Sequence, residues 1–478
     1  MKQVAAIIGG GVIGGGWAAR FALMGWEVRV FDPDPEAQRK IGAVMENATR
    51  TLPMLYENPM PTPGGISYHG SVADAVAGAV WVQESVPEKS GLKLQVFKEI
   101  QDICDVDAVL ASSTSGFKPS ELQAGAARPG QIVVAHPFNP VYLLPLVELV
   151  PGPAAAPETI DRAKAILTRI GMYPLHVRAE IDAHIADRFL EAVWREALWL
   201  VKDGLATTEE IDNAIRYGFG LRWAQMGLFE TYRVAGGEAG MRHFMAQFGP
   251  CLSWPWTRLT DVPDFTPALV DLIAEQSDAQ SGQSTIRELE RLRDNNLVAI
   301  LRALKGQEAA AGRLILDHDA GLRRPLGDGV PLVAVRRTVP VDWADVNGHM
   351  NEGRYGQVFS DASEALMAHV GADRAYIDAG MSYFTAETNM KYLAETLVGE
   401  SFYVETRVMF GEGKKLRLWH EMKRADGTLL ATCDQFLLHV SLETRRSCAP
   451  LPEVAEAVER LAAVHRESAH AKKETDHG

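Results

Sequence analysis

The stretch "VAAIIGGGVIGGGWAARFALMGWEVRVFD", residues 4–32, decides the fold of the first part of the chain. Gly9, Gly11 and Gly14 form a GxGxxG pattern directly after an apolar run and directly before a helical one, and Asp32 closes the next apolar run. Such glycines allow a tight turn and let backbone N–H groups approach a pyrophosphate at a helix N-terminus. An Asp at the end of the second strand can accept hydrogen bonds from a ribose diol, so the pattern predicts an NAD site.

Outward from this stretch, the residue pattern predicts three folded regions. Short apolar runs alternate with amphipathic segments in residues 1–178, which indicates an α/β domain of the Rossmann type with a doubly wound parallel sheet. Residues 179–316 show apolar residues at helical spacing and predict an all-helical second domain. In residues 333–450 period-2 alternation returns beside one helix, which predicts an α+β domain. Residues 317–332, rich in Gly and Pro, are interpreted as a linker, and residues 451–478 as a C-terminal helix and tail.

Composition limits the classes of partner and compartment. The net charge of -14 over 478 residues disfavours nucleic acid, because phosphate binding relies on clustered Lys and Arg. No CxxC pair occurs among the cysteines, which predicts neither a zinc site nor a disulfide framework and fits a reducing compartment. Glycines break the apolar start, which lacks a cleavage pattern and any long apolar span. We therefore expect a cytoplasmic protein that binds no membrane.

Polar residues follow three predicted strands of the first region. Ser115 lies in "ASSTSG", His136 in "AHPFNP" and Glu148 in "LVELV", each at the carboxyl end of a strand. Because α/β sheets bind ligands at this edge, we expect the three side chains to converge. A histidine can take the proton of a substrate hydroxyl, and a carboxylate on its other ring nitrogen would fix the tautomer. Each residue alone also fits a turn, a structural histidine or a surface charge.

Together these motifs resemble the 3-hydroxyacyl-CoA dehydrogenase superfamily over roughly residues 1–320. The resemblance implies an NAD-dependent dehydrogenase that dimerises through its helical domain. It also assigns roles to individual positions. These are a catalytic histidine at His136, an orienting glutamate at Glu148, a serine-rich turn at Ser115, an asparagine near the cofactor at Asn139, and a ribose-side pair at Glu88 and Lys93.

Departures from the family pattern point to a different substrate. The substrate-side asparagine of the family corresponds to Asp187, and residues 41–92 contain only Arg50 and Lys89 as bases, where a CoA-binding member would offer lysines. The helical region carries six further large aromatic residues, most of which we expect in the core: Trp194, Trp199, Trp223, Tyr232, Trp254 and Trp256. Aromatic faces and an acid can bind a quaternary ammonium. The branch with "HIADRFLEAVWREALWLV" resembles dehydrogenases that oxidise the 3-hydroxyl of a free trimethylammonium acid.

A second constellation lies in "DWADVNGHMNEGRY", residues 342–355. With the β-rich tail it resembles a hotdog domain of the thioesterase type, whose DxNxH motif followed by Asn falls on Asp345, Asn347, His349 and Asn351. The resemblance implies hydrolysis of a short acyl-CoA, with a carboxylate or imidazole that activates water and helix N–H groups that polarise the thioester. Asp, Asn and Gly also form turns and caps, so the short motif alone has a purely structural reading.

Three hypotheses remain for the whole chain. The first is a bifunctional enzyme that oxidises a trimethylammonium hydroxy acid and hydrolyses a related acyl-CoA. The second is a 3-hydroxyacyl-CoA dehydrogenase whose tail acts on related acyl-CoA, and the third is a dehydrogenase whose hotdog domain only dimerises or binds acyl-CoA. The base-poor segment favours the first over the second, and the intact Asp345, Asn347 and His349 set favours it over the third.

Overall fold

The computed structural model describes residues 3–235, 240–258, 264, 266–269, 271–272, 283–322, 326 and 330–475. The chain forms two compact units, one of residues 1–49 and 61–318 and the other of residues 50–60 and 319–478. Residues 50–60 lie in the region predicted as the Rossmann domain, yet they group with the second unit. Sequence periodicity reports local structure and does not indicate with which unit a short segment packs.

The first unit contains a sheet of eight strands. They are β1 (Val4–Ile8), β2 (Glu27–Phe31), β3 (Ile66–Tyr68), β4 (Trp81–Glu84), β5 (Val109–Ser112), β6 (Ile132–Pro137), β7 (Leu146–Pro151) and β8 (Tyr173–His176). Their order in the sheet is β3-β2-β1-β4-β5-β6-β7-β8, and the first six strands follow the doubly wound order of a Rossmann domain. The expected parallel arrangement holds for every pair except β6 and β7, which are antiparallel. Only residues 138–145 connect these two strands, too few for a helical crossover.

Six helices flank this sheet, and apolar side chains fill the space between. The helices are α1 (Val12–Leu23), α2 (Ala37–Thr51), α3 (Val72–Val76), α4 (Ser90–Ile103), α5 (Pro119–Gln123) and α6 (Pro157–Arg169). Ile8, Val82, Leu110 and Val134 from four strands form one core cluster with Phe97 of α4. Burial of each such side chain stabilises the fold by about 1.5–3 kcal/mol. This core holds the carboxyl ends of the strands in fixed positions at one edge.

The remaining described residues of the first unit are mainly helical, as the sequence predicts. It contains α7 (Ala186–Lys202), α8 (Thr208–Ala214), α9 (Gly220–Ala235), α10 (Gly240–Phe248), α11 (Ile286–Gly306) and α12 (Ala310–Gly321). Thr207 and Thr285 cap α8 and α11 in capping boxes, and Gly204, at φ +69°, follows the end of α7. The last of these helices extends into the segment interpreted as a linker. Among the described residues, no helix is long and apolar enough to cross a membrane.

The second unit pairs a curled antiparallel sheet with a central helix. Its elements are β9 (Leu332–Thr338), α13 (Glu352–His369), α14 (Arg374–Asp378), β10 (Met381–Tyr392), β11 (Ser401–Glu412), β12 (Lys415–Arg424), β13 (Leu429–Ser441), β14 (Arg446–Ser447) and α15 (Pro452–Thr475). The strand order is β10-β13-β12-β11-β9, with β14 beside β13. Phe359 and Ala362 of α13 share a core cluster with Val404 and Met422 of the sheet. A helix wrapped by an antiparallel sheet is the architecture expected of a hotdog domain.

Candidate active sites

The glycine turn after β1 has the shape that a dinucleotide needs. Gly9 has φ +100°, and a Cβ there would lie 2.6 Å from the carbonyl oxygen of Ser85. At Gly14 a Cβ would overlap the carbonyl oxygen of Gly9, so only glycine lets α1 start this close to β1. Around Gly11 no atom lies within 4 Å of such a Cβ, which leaves the N-terminus of α1 open to an anion. The three predicted glycines thus have three different roles in one turn.

Asp32 lies directly beside this turn at the carboxyl end of β2. One carboxylate oxygen, Oδ2, accepts a hydrogen bond of 2.5 Å from the N–H of Gly10, and Oδ1 accepts one of 2.7 Å from the N–H of Asp34. The backbone therefore fixes the carboxylate against the turn. This is the position from which the second strand of a Rossmann domain presents an acid to a ribose.

A buried ion-pair network lies under the next strand ends. The Nζ atom of Lys93, which is 1% exposed, lies 2.8 Å from Oε1 of Glu84 and 3.1 Å from Oε2 of Glu88. Burial alone would raise the pKa of Glu88, but hydrogen bonds from Thr114 and the charge of Lys93 outweigh it and lower the pKa. The structure thus brings Glu88 and Lys93 together. Glu84 was not among the residues predicted from the sequence, although its position at the end of β4 in "WVQES" is a usable signal.

Glu84 holds this network to the neighbouring strand. Its Oε2 atom accepts a hydrogen bond of 2.5 Å from the hydroxyl of Ser112, and its Oε1 atom accepts one of 2.8 Å from the N–H of Val86. Ser112 ends β5 and precedes the serine-rich turn that contains Ser115. Ser115 itself is exposed, as is Asn139 in the turn after β6. Both predicted cofactor residues therefore lie at the surface of the strand-end edge.

His136 lies between two carboxylates. Its Nδ1 atom is 3.1 Å from Oε2 of Glu148, as predicted, and its Nε2 atom is 3.6 Å from Oδ2 of Asp187. Oε1 of Glu148 also accepts hydrogen bonds of 2.8 Å from the N–H groups of Ile185 and Ala186 at the start of α7. Burial would raise the pKa of Glu148, but these three donors outweigh it and lower the pKa. Glu148 is therefore an anion that can only accept, and Nδ1 of His136 donates.

A second histidine lies beside this one, and the sequence analysis missed it. The ring centroids of His184 and His136 are 5.6 Å apart, and Nε2 of His184 lies 3.2 Å from the carbonyl oxygen of Thr114. His184 is the first residue of the quoted "HIADRF" segment, three residues before Asp187. A single histidine at the start of a predicted helix carries no distinctive signal in the sequence.

The aromatic residues of the helical region are exposed rather than buried. Trp194, Trp223, Trp254 and Trp256 are between 39% and 66% exposed in the chain by itself, and Tyr232 and Trp199 are half-buried. The prediction that most of these six residues lie in the core is therefore wrong for the isolated chain. Helical periodicity shows which face of a helix is apolar, but it does not show whether that face is covered. Trp199 instead contacts two cations, Lys202 and Arg258, each 4.5 Å from the ring centroid.

In the second unit, the DxNxH loop is fixed by its own aspartate. Oδ1 of Asp345 accepts hydrogen bonds from the N–H groups of Asn347 at 2.8 Å and His349 at 3.0 Å. Partial burial would raise the pKa of Asp345, but these backbone donors lower it. The Nε2 atom of His349 lies 3.2 Å from Oε2 of Glu395. The loop thus presents the imidazole, while the carboxylate stabilises the turn and also accepts a hydrogen bond from the Asn347 side chain.

The other polar residues suggested for this unit are placed as follows. Asn351 is the N-cap of α13, and its side chain accepts a hydrogen bond of 2.9 Å from the N–H of Gly353. On the same helix, burial raises the pKa of the Glu364 carboxyl. The stretch "GEGKKLRL" offers three candidate partners for CoA phosphates, Lys414, Lys415 and Arg417. Of these, Arg417 forms a bidentate pair with Asp434, and Lys414 donates to Ser447.

The chain matches known families in three segments. The family model "3-hydroxyacyl-CoA dehydrogenase, NAD binding domain" matches residues 4–181, and the C-terminal domain of that family matches residues 184–258. The model "Thioesterase-like superfamily" matches residues 339–458. These matches confirm the Rossmann domain, the NAD cofactor and the hotdog-type domain that the sequence predicts.

Relatives at high identity cover nearly the whole chain. The L-carnitine dehydrogenase/betainyl-CoA thioesterase of Ruegeria pomeroyi is 64% identical over 465 residues, which cover 96% of this chain and 95% of that protein. The chain belongs to the L-carnitine dehydrogenase/betainyl-CoA thioesterase family. A monofunctional relative, the L-carnitine dehydrogenase of Mesorhizobium japonicum, is 56% identical over 325 residues, or 67% of this chain and 89% of that protein.

A solved structure supports the fold of the dehydrogenase part. It is 5-formyl-3-hydroxy-2-methylpyridine 4-carboxylic acid 5-dehydrogenase, described as an NAD+ dependent dismutase. The likeness has a TM-score of 0.54 at 28% identity and covers 64% of this chain and 99% of that one. The dehydrogenase part of this chain therefore shares the fold of a solved NAD+ dependent enzyme.

Proposed function

We propose that the chain oxidises the 3-hydroxyl of L-carnitine to the ketone with NAD+ and that its C-terminal domain hydrolyses betainyl-CoA to betaine. The names of its relatives support both halves. The observation that carries the first half is the position of His136 between Glu148 and Asp187. The alternative, a 3-hydroxyacyl-CoA dehydrogenase with a hotdog domain that only binds acyl-CoA or dimerises, offers no cationic substrate group for the negative charge of Asp187 to attract.

His136 is the general base of the proposed dehydrogenase. Because Nδ1 donates to Glu148, Nε2 carries the lone pair that takes the proton of the substrate hydroxyl. The anion of Glu148 stabilises the imidazolium that results. Bound NAD+ supplies the hydride acceptor for the hydrogen on the same carbon. Ser115 and Asn139 lie at the edge where the cofactor and the hydroxyl would meet, and we propose that they bind and orient them.

Asp187 is the proposed specificity residue. In place of the neutral asparagine of the wider family it puts a carboxylate 3.6 Å from the reactive nitrogen of His136. That charge attracts the trimethylammonium group of carnitine and stabilises the imidazolium during proton transfer. A CoA ester, whose phosphates are anionic, gains nothing from it. The exposed tryptophans on the same helical domain supply aromatic surface for the same cation.

In the hotdog domain we propose that His349 activates a water for attack on the thioester. Its Nε2 contact with Glu395 keeps the ring in place, Asp345 holds the loop, and Asn347 together with N–H groups at the start of α13 polarises the carbonyl. Water adds to the carbonyl carbon, and the thiol of CoA leaves. A relative that has only the dehydrogenase name supports the view that the two sites work separately.

We also propose a homodimer in the cytoplasm. Large apolar side chains are exposed on the helical domain, including Phe229 at 72% and Leu252 at 90%, and surfaces of this kind mark protein interfaces. The four cysteines Cys104, Cys251, Cys433 and Cys448 are free thiols, in keeping with a reducing compartment.

A single substrate comparison tests the proposed dehydrogenase. NADH formation is measured with L-carnitine, D-carnitine and 3-hydroxybutyryl-CoA offered separately to the full chain. Turnover of L-carnitine alone supports the proposal. Turnover of the CoA ester instead would assign the chain to fatty-acid chemistry and remove the proposed role of Asp187.

A further inference from the structure

The turn before α7 has an unusual backbone. Ala183 and His184 are consecutive non-glycine residues with positive φ, at +58° and +48°. This left-handed region crowds an L side chain against the carbonyl oxygen, so two in a row persist only where surrounding contacts hold them. The turn therefore needs an anchor outside itself.

The conformation of this turn matters because it positions two backbone N–H groups and the carboxylate of Asp187. Directly after it, the N–H groups of Ile185 and Ala186 both donate to Oε1 of Glu148 at 2.8 Å. The next residue, Asp187, places Oδ2 at 3.6 Å from Nε2 of His136. Both carboxylates that flank the imidazole of His136 thus depend on the path of this turn. The carboxylate of Glu148 accepts hydrogen bonds from the N–H groups that follow the turn, and Asp187 comes directly after those residues.

The side chain of His184 supplies the anchor. It is 1% exposed, and its Nε2 atom lies 3.2 Å from the carbonyl oxygen of Thr114 in the serine-rich turn. A carbonyl can only accept, so Nε2 carries the proton and donates. Nδ1 is then an acceptor, and it is buried without a hydrogen-bond partner among the described residues. Such an unsatisfied buried atom is uncommon in proteins and needs a compensating reason.

Thr114 is itself fixed on its other side. Its hydroxyl donates to Oε1 of Glu88, which pairs with the buried Lys93. A continuous set of contacts therefore runs from the ribose-side pair through Thr114 and His184 to the turn that surrounds His136. The anchor joins the part of the site expected to hold the cofactor to the part that holds the general base.

We infer that His184 is a positioning residue of the dehydrogenase, which fixes the turn of residues 183–187 on the Thr114 carbonyl and thereby sets His136 between Glu148 and Asp187. The inference rests on the proposed dehydrogenase function. Burial lowers the pKa of His184, and the nearby His136 lowers it further, against opposing effects of Thr114, Glu148 and Asp187. The neutral form that results adds no second positive charge beside the imidazole that receives the proton.

Three substitutions distinguish the role of the backbone at His184 from the role of its side chain. His184→Asn tolerates a positive φ and keeps an N–H donor, whereas His184→Gly keeps the backbone freedom and loses the donor, and His184→Phe keeps the ring volume alone. We expect the Gly and Phe variants to lose about tenfold or more in kcat while the Kd for NAD stays within about threefold. The Asn variant is expected to recover much of the lost kcat. Wild-type kcat in both donor-free variants would overturn the inference.

Hydrogen exchange supplies a readout that needs no substrate. In the full chain, the amides of Ile185 and Ala186 are protected by Glu148, so release of the turn should speed their exchange in His184→Gly and His184→Phe but not in His184→Asn. Unchanged exchange in all three variants would overturn the anchor role. Failure of the proposed function is a separate result, because the wild type would then not reduce NAD with L-carnitine while the exchange difference persisted. If His184→Gly does not fold, the difference in amide exchange between His184→Phe and His184→Asn tests the anchor role by itself.

Discussion

Nε2 of His136 and Oδ2 of Asp187 lie 3.6 Å apart with no hydrogen between them in the neutral state, because Nδ1 carries the proton donated to Glu148. Two acceptors therefore lie side by side, and a substrate hydroxyl that donates its proton to Nε2 would turn their repulsion into an attraction between imidazolium and carboxylate. In the proposed oxidation the pair would thus stabilise the positive charge that develops on His136.

The two proposed sites should be separable by mutation. His136→Ala removes the base, so we expect NADH formation with L-carnitine to fall by about 100-fold or more while hydrolysis of betainyl-CoA continues. Asp345→Ala removes the carboxylate that holds the DxNxH loop and is expected to do the reverse. Both activities are measured on each full-length variant. Loss of both from either change would refute independent sites.

The charge of Asp187 should matter for a cation and not for its neutral analogue. We expect Asp187→Asn to raise the KM for L-carnitine about tenfold, since an ion attraction is lost, and to leave the Kd for NAD unchanged. The matched control is Glu191→Gln, one turn further along the same helix, where Glu191 pairs with Arg195. The neutral carbon isostere of carnitine, with a tert-butyl group instead of trimethylammonium, should bind the wild type and the Asp187→Asn variant equally well. Equal KM values for L-carnitine in wild type and Asp187→Asn would exclude the cation role.

Two glycines of the same turn should respond differently to alanine. A Cβ at Gly14 overlaps the carbonyl of Gly9, so Gly14→Ala is expected to reduce the free energy of unfolding by about 1–3 kcal/mol. At Gly11 a Cβ meets no protein atom, so Gly11→Ala should keep the melting temperature and raise the Kd for NAD about tenfold by blocking the pyrophosphate. Thermal unfolding and NAD titration distinguish the two. A stable Gly14→Ala variant would contradict the close packing of α1 on β1.

The hotdog unit should lose stability as the pH falls below neutrality. His420 of β12 is fully buried, and its ring nitrogens contact the hydroxyls of Thr406 and Ser363 at 2.9 and 3.1 Å. Burial lowers its pKa from 6.5 to about 4, although hydrogen bonding by Gln435 and the charge of Asp434 act in the opposite direction. The unfolded state therefore binds a proton below pH 6.5, whereas the folded state does so only below about pH 4.

Stability that depends on neutral His420 is thus complete above pH 6.5 and is lost progressively down to about pH 4. The loss amounts to about 3 kcal/mol at most. His420→Gln keeps a polar group without titrating, so its stability should fall less between about pH 7.5 and about pH 5. Hydrogen exchange of β12 and β13 peptides in the full chain measures the difference. An equal fall in wild type and variant would show that this histidine does not set the acid sensitivity.

Much of the dehydrogenase site could be predicted because its signals are local. The glycine turn needs a strand, three glycines and a helix in succession, and these occur in that order between Val4 and Leu23. Strand periodicity also placed His136 at the carboxyl end of its strand. The same prediction was wrong for Glu148, which is the third residue of β7 and pairs with His136 because β7 runs antiparallel to β6. Strands β3 and β8 have weaker strand signals, because β3 has only three residues, of which Ser67 and Tyr68 are exposed, and β8 contains Pro174.

The hotdog motif shows a limit of the same reasoning. Its spacing correctly indicated a compact loop before a helix, yet spacing does not say what the carboxylate of Asp345 contacts. In the structure it binds the N–H groups of its own loop, and the imidazole of His349 turns to Glu395, which lies beyond β10. The partner of that histidine depends on how the sheet curls around the helix.

The sequence by itself determined the fold class, the NAD cofactor and the candidate for the general base, because these follow from periodicity and from residues close together along the chain. Only the tertiary structure decided that Asp187 faces the reactive nitrogen of His136 from 51 positions away, that His184 reaches the Thr114 carbonyl, and that Glu84 shares a buried lysine with Glu88. The physical reason is that these contacts depend on how strand ends and the start of α7 pack together. Side-chain packing between elements fixes such distances, and no local pattern encodes them.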